Sequence, residues 1–236
     1  MGQTNKDTAI LIFSLSARLE AERKSLFGKR NKKASQGFFD ILINRTHEIA
    51  SSTDADVFVI DESLQKGTTF GERYANAFQE LFDQGYSKVL SIGNDTPDLT
   101  AKVLEKAVDK IHHNDLVIGP STDGGVYLLG MRREFFNLEE FKALPWLQSN
   151  LFHTLVNGVF WKKAKSHYFS ELSDIDTTRQ LLQFFYSTDD VVLVDFILNH
   201  LAVFSSRKVF SKSFFFSGEY SFSFQLRGPP ALLSAA

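Results

Sequence analysis

The chain alternates between two hydrophobic periods, and no other feature constrains its fold as strongly. Apolar runs of strand length occur at "AILIFSL" (9–15), "DVFVI" (56–60), "SKVLSIG" (87–93), "DLVIGP" (115–120) and "VYLLGM" (126–131). The first two read as strands covered on both faces, because neither shows the in–out alternation of a half-exposed strand. Helical patterns separate the runs. "SQGFFDILINRTHEIA" puts Phe38, Phe39, Leu42, Ile43 and Ile49 on one face, with Ser35 as its N-cap. "GERYANAFQELFDQG" reads as a helix closed by Gly85, and "LTAKVLEKAVDKI" as another amphipathic helix. Further on, 148–162 reads as helix, 165–170 as strand and 176–186 as helix. Strands and helices in this order predict an α/β fold with a mostly parallel sheet and right-handed crossovers. Ligands in such sheets bind beyond the carboxyl ends of the strands. The loop after Leu15, "GNDTPD" (93–98) and "STDGG" (121–125) are therefore expected on one rim.

Composition narrows the chemistry. The 236 residues include no cysteine, which excludes disulfides, zinc thiolates and cysteine nucleophiles. A formal charge of −2 predicts no global attraction to nucleic acid or an anionic membrane, so any polyanion site must be local. The start, "MGQTNKDT", has no apolar signal region, and the longest apolar run, "VVLVDFIL" (191–198), is too short to span a bilayer. A cytoplasmic location is expected. The histidines show no HExxH spacing, and there is no Walker loop, Gly-x-Gly-x-x-Gly or Gly-x-Ser-x-Gly. Phenylalanine is abundant at 24 residues, seven of them in "LAVFSSRKVFSKSFFFSGEYSFSF" (201–224). The composition breaks after about Tyr186. We read 1–186 as one domain and 187–236 as a Phe/Ser-rich extension whose alternation suits strands.

Two motifs carry chemistry by themselves. In "GNDTPD", a strand tip delivers Asp95, Gly93 allows close backbone approach, and Pro97 stiffens the loop. Hard oxygen donors at such a tip suit Mg or Mn with its phosphates, whereas the plain alternative is an Asx turn and a helix cap from Asp98 or Thr100. In "STDGGVYLLG", Gly124 and Gly125 leave the backbone open beside Asp123, which has the chemistry to accept from a hydroxyl or deprotonate it. Tyr127 offers a ring face or a phenol. The plain alternative is a hairpin with an Asp-Gly turn.

Taken in order, "GTTFGERYANAF" (67–78), "SIGNDTPDL" (91–99), "GPSTDGGVYLLGM" (119–131), "LPW" (144–146) and "DIDTT" (174–178) resemble a bacterial glycosyltransferase-like family of undetermined function. That family lies within the nucleotide-diphospho-sugar transferase superfamily and is related to molybdenum-cofactor and phospholactate guanylyltransferases. The resemblance spans about residues 9–182 and implies a three-layer glycosyltransferase-A-like fold with a mostly parallel mixed sheet. It implies a divalent metal (Mg or Mn) on Asp95 and Asp176, a nucleotide or nucleotide-sugar ligand, and substrate contacts from Gly124, Gly125, Tyr127 and Trp146. Arg73 lies in a matching block and is a phosphate-binding candidate. Relatives carry phosphate-binding residues after the first strand, often with a Lys-Thr-Arg signature. Here "SARLEAERKSLFGKRNKK", read as a charged loop, lacks that signature, leaving Lys24, Lys29 and Arg30 to neutralise a diphosphate.

"DIDTT" has two further readings. Asp176 suits a cap for the helix beginning near Thr177, and the letters also fit a haloacid-dehalogenase nucleophile, Asp174, with Asp176 as acid–base. Only 58 residues follow Thr178, and "HYFSELS" is a poor buried strand, so the phosphatase reading is set aside. The expected function is a metal-dependent glycosyltransferase with Asp123 acting on the acceptor. The alternatives are a nucleotidyltransferase and a non-catalytic nucleotide- or partner-binding protein, which the missing Lys-Thr-Arg signature favours.

Overall fold

A computed structural model describes residues 7–158 and 161–201. The chain runs β1 (Thr8–Phe13), α1 (Ala17–Arg23), α2 (Lys32–Ser51), β2 (Asp56–Ile60), α3 (Phe70–Asp83), β3 (Lys88–Ile92), α4 (Ala101–His113), β4 (Leu116–Pro120) and β5 (Val126–Arg132). After a 3₁₀ turn at 133–135 come α5 (Leu138–Lys142), α6 (Leu151–Asn157), β6 (Ser166–Tyr168), α7 (Thr178–Ser187) and α8 (Val191–Leu201). Six strands form one sheet in the order β2-β1-β3-β5-β4-β6. β5 is antiparallel to both its neighbours and every other pairing is parallel. The carboxyl ends of the parallel strands therefore share one edge, and β5 starts there.

The two-residue period of β1 builds the layers. Ala9 and Leu11 join α3, β4 and β5 residues in one core. Ile10 and Ile12 face the other way, into a core with Leu104, Ala107 and Ile111 of α4 and Ala50 of α2. A third cluster joins α1 and α2 to Leu181, Phe184 and Phe185 of α7 and Leu193, Val194 and Ile197 of α8. Thus α8, beyond the composition break at 186, packs on the body of the fold. The Phe-rich stretch from 202 onward lies outside the described residues. Among the described residues no helix is long and apolar enough to cross a membrane.

Three local expectations are corrected. The charged stretch after β1 contains a two-turn helix, α1: Ala17, Glu20 and Ala21, at helical spacing, are buried, and the charges around them hide the stripe. α2 begins at Lys32, so Ser35 lies inside its first turns, where it is buried and its Oγ accepts from the Phe27 N–H at 3.2 Å. "DVFVI" is an edge strand paired only with β1, and Val59 is 41% exposed. The closure of α3 by Gly85 holds, at φ 99°, while a capping box from Thr69 and Glu72 that the sequence reading did not mark starts that helix.

Candidate active site

The site is a cavity of about 500 Å³ at the shared strand edge, with walls from the ends of β1 and β3, the β4–β5 turn, the 146–151 loop and the 174–176 segment. Its floor is assembled by backbone hydrogen bonds. The Ile175 N–H donates to the Asp95 carbonyl at 2.8 Å, which lays the "DIDTT" segment against the "GNDTPD" loop. Upstream, Phe169 and Leu172 donate to the carbonyls of Ile118 and Pro120, so the chain after β6 tracks along β4 to the rim. The Thr178 hydroxyl ties the start of α7 to the Leu26 carbonyl at 2.8 Å.

These ties bring carboxylates from three segments onto one cation. The Lys24 Nζ lies 2.6 Å from Asp95 Oδ2, 2.8 Å from Asp176 Oδ1 and 3.4 Å from Glu20 Oε2. Its side chain is only 13% exposed, and the Phe39 ring lies beneath the ammonium at 5.7 Å. The surrounding negative charge holds the Lys24 pKa well above the usual ammonium range, against the opposing pull of burial. Burial dominates at Glu20 and raises its carboxyl pKa despite the neighbouring Lys24. Asp174 accepts from the Thr96 hydroxyl. Burial, reinforced by the charge of Asp95, pushes Asp174 up to about 7. Five acidic side chains line the cavity (Glu20, Asp95, Asp123, Asp174 and Asp176) against three basic ones (Arg23, Lys24 and Arg73).

The structure places Lys24, Arg73, Gly93, Asp95, Asp123, Gly125, Tyr127, Trp146 and Asp176 on the cavity wall. Lys29 and Arg30 are corrected: both are exposed in the turn after α1 and do not line it, because the Gly28 turn (φ 83°) carries the chain away to α2. Arg73 faces the cavity but is partly engaged, donating to Gln65 Oε1 at 3.1 Å and the Thr68 carbonyl at 2.9 Å. The Tyr127 hydroxyl donates to the Ser170 carbonyl at 3.2 Å, so this buried residue contributes a wall. Thr177 is the N-cap of α7 and Thr100 that of α4, so neither Asp176 nor Asp98 takes that role. Glu20 escaped the sequence reading of the site, and Asp174 entered it only in the phosphatase reading that was set aside. The i,i+4 spacing of Glu20 and Lys24 was the available signal, lost once α1 was taken for a loop.

Gly124 is a bolt. Its φ is 90°, and a Cβ there would lie 1.9 Å from the Ser149 carbonyl oxygen. Its own carbonyl accepts from the Phe152 N–H at 2.9 Å, so the 121–125 turn and the 146–151 loop are held together. Beside it, Asp123 Oδ1 accepts from the Gly125 N–H at 2.8 Å, an Asx turn that fixes the carboxylate's direction. Gly124→Ala is expected to cost about 3 kcal/mol, from the left-handed backbone plus the overlap with Ser149. Urea denaturation measures it, and a loss under about 1 kcal/mol contradicts the bolt.

Residues 40–148 match the model of a family described as "Uncharacterized protein conserved in bacteria (DUF2064)". No curated protein sequence matches the chain. Among solved structures, a presumed nucleotide-diphospho-sugar transferase from Desulfovibrio desulfuricans G20 superposes with a TM-score of 0.72 at 20% identity, covering 84% of this chain and 98% of that one. The 4-diphosphocytidyl-2C-methyl-D-erythritol synthase of Anaerococcus prevotii DSM 20548 has a TM-score of 0.46 at 11% identity, covering 85% and 99%. Rv0371c of Mycobacterium tuberculosis H37Rv, in complex with manganese, has 0.45 at 13%, covering 77% and 100%. Over residues 40–148 the chain thus carries the pattern of this bacterial family, on the glycosyltransferase-A-like fold that it shares with the Desulfovibrio structure.

Proposed function

We propose that the protein is a glycosyltransferase that uses a nucleotide-diphosphate sugar and a divalent cation. One observation carries the reading: Asp95 and Asp176, from separate loops, point their oxygens at a single cation position, now held by the Lys24 ammonium. The donor set fits Mg or Mn. Among the described residues no three acidic or imidazole side chains form a protein-only metal cage. Two carboxylates are nevertheless the usual protein share of a magnesium site completed by phosphate and water. The charge balance agrees, since acidic side chains outnumber basic ones on the cavity wall and a diphosphate is better accommodated there when a cation comes with it. A bound divalent ion supplies positive charge against the diphosphate leaving group.

The remaining roles belong to the chain's own side chains. Asp95 and Asp176 would hold the cation once the Lys24 ammonium, which now sits between them, swings toward the diphosphate. Lys24 neutralises part of the diphosphate, and Arg73 adds a second positive group at the rim. Gly93 keeps the strand tip clear: a Cβ there would sit 3.0 Å from Asp95 Oδ1 and push against the carboxylate. Asp123, oriented through Oδ1, presents Oδ2 to the acceptor hydroxyl and takes its proton as the acceptor oxygen bonds to the sugar carbon. The sugar–phosphate bond breaks and the nucleoside diphosphate leaves with its electron pair.

The test is Asp95→Asn, read by calorimetry with UDP, GDP and CDP in the presence of manganese. We expect a loss of metal-dependent binding of at least about tenfold, equivalent to about 1.4 kcal/mol, without unfolding. Unchanged binding rejects the reading. Pyrophosphate release from nucleoside triphosphates with phosphorylated substrates would reassign the pocket to nucleotidyl transfer. Tight ligand binding with no turnover over a broad acceptor panel would make it a binding protein.

A further inference from the structure

Two costs coincide at Leu147. Among the described residues it is the one non-glycine with a positive φ, at 63°. At 70% exposure it is also the most exposed of their large hydrophobic side chains. It occupies the third position of the turn Pro145–Gln148, closed by the Gln148 N–H donating to the Pro145 carbonyl at 3.2 Å. Turns with positive φ at that position favour glycine or asparagine, because a branched side chain crowds the backbone there. At that exposure no core contact among the described residues offsets the strain. The residue nevertheless lines the cavity.

The turn is held firmly on both sides. Trp146 Nε1 donates to the Phe141 carbonyl at 2.8 Å, and Ser149 lies against Gly124 in the turn that carries Asp123. Leu147 is thus a firmly presented apolar group on the wall of the cavity that also holds the carboxylate assigned to the acceptor. We propose that Leu147 is a specificity residue, selecting an acceptor whose reacting hydroxyl neighbours an alkyl or aryl group. This assignment rests on the transferase reading for the identity of the acceptor end. The contact itself follows from the strain, the exposure and the position at the cavity. A ligand carbon group that covers Leu147 removes its apolar surface from water, which nothing among the described residues does.

The experiment uses two alcohols as probes, benzyl alcohol and glycerol, observed by saturation-transfer NMR on the full chain. Wild type is expected to bind benzyl alcohol in preference to glycerol. Leu147→Asn, whose side chain tolerates positive φ, should weaken benzyl alcohol binding at least about fivefold, as expected for a few carbons returned to water. Its melting temperature should be unchanged or higher, whereas Leu147→Met should keep the binding. Equal benzyl alcohol binding by Leu147→Asn overturns the proposal. So does a lowered melting temperature in that variant, because Leu147 is then structural. Asp95→Asn separates the two ideas: nucleotide binding retained by that variant sinks the transferase reading and leaves the apolar subsite standing. If wild type does not prefer benzyl alcohol to glycerol, the subsite falls and the transferase reading stands.

Discussion

Lys24→Met is expected to weaken nucleoside diphosphate binding at least about tenfold and to lower the unfolding free energy by about 2 kcal/mol. The ammonium is the cation shared by Glu20, Asp95 and Asp176, at 3.4, 2.6 and 2.8 Å. Methionine matches the stem in volume, so the change is electrostatic and leaves no cavity. Removing one partner of a fully buried pair costs about 3–5 kcal/mol. Asp95 and Asp176 keep 27% and 37% of their side-chain surface in water, which pulls the figure down. The pH dependence has a definite sign. Glu20 is already held above its ordinary value by burial, and loss of the ammonium raises it further. A carboxyl with a raised folded pKa penalises the fold when ionised, so the deficit is full at neutral pH and shrinks as pH falls toward the folded pKa. Urea denaturation at pH 7 and near pH 5, with calorimetry for the ligand, measures both effects. A variant that binds and folds like wild type would remove Lys24 from the site.

Phe141→Ala carries the largest expected loss of stability, about 3–5 kcal/mol. Phe141 is fully buried, and its ring centroid lies 4.9 Å from that of Trp146, 5.0 Å from Phe78, 5.3 Å from Phe136 and 5.5 Å from Tyr74. Truncation opens a void that these rings cannot all close, because Phe78 and Tyr74 are anchored on α3 and Phe136 follows the 3₁₀ turn. The bond from Trp146 Nε1 to the residue-141 carbonyl survives, since the acceptor is backbone. The cavity wall should therefore loosen without dismantling the carboxylate–lysine cluster. Equilibrium denaturation gives the stability term, and manganese-dependent nucleotide binding below the transition should persist. A loss under about 1 kcal/mol would show that the aromatic cluster is not the keystone of that wall.

How much was legible can be judged residue by residue. β1 announced itself because a strand covered on both faces needs apolar side chains at nearly every position, and burial bears this out at Ala9–Ile12. β2 carries similar letters but has a neighbour on one side only. Composition cannot count neighbours. α1 was hidden because two helical turns with charges on three sides give a weak period. The placing of Asp95 at a strand tip facing the cavity was legible from the strand-tip Gly and the following Pro. Glu20 was not, because its meaning depends on Lys24, which faces it one turn later on a helix the pattern concealed.

Local chemistry therefore determined the strand and helix alternation, the rim on which loops gather and the acidic tips those loops present. Short-range sterics and hydrophobic period act within a few residues, and a sequence displays them directly. The tertiary structure alone decided that Asp95 and Asp176 share one cation, that Lys29 and Arg30 stand aside and that Tyr127 spends its hydroxyl on Ser170. Those outcomes depend on a backbone bond between Ile175 and Asp95 and on the chain's path after β6, and contacts between distant segments have no local signature.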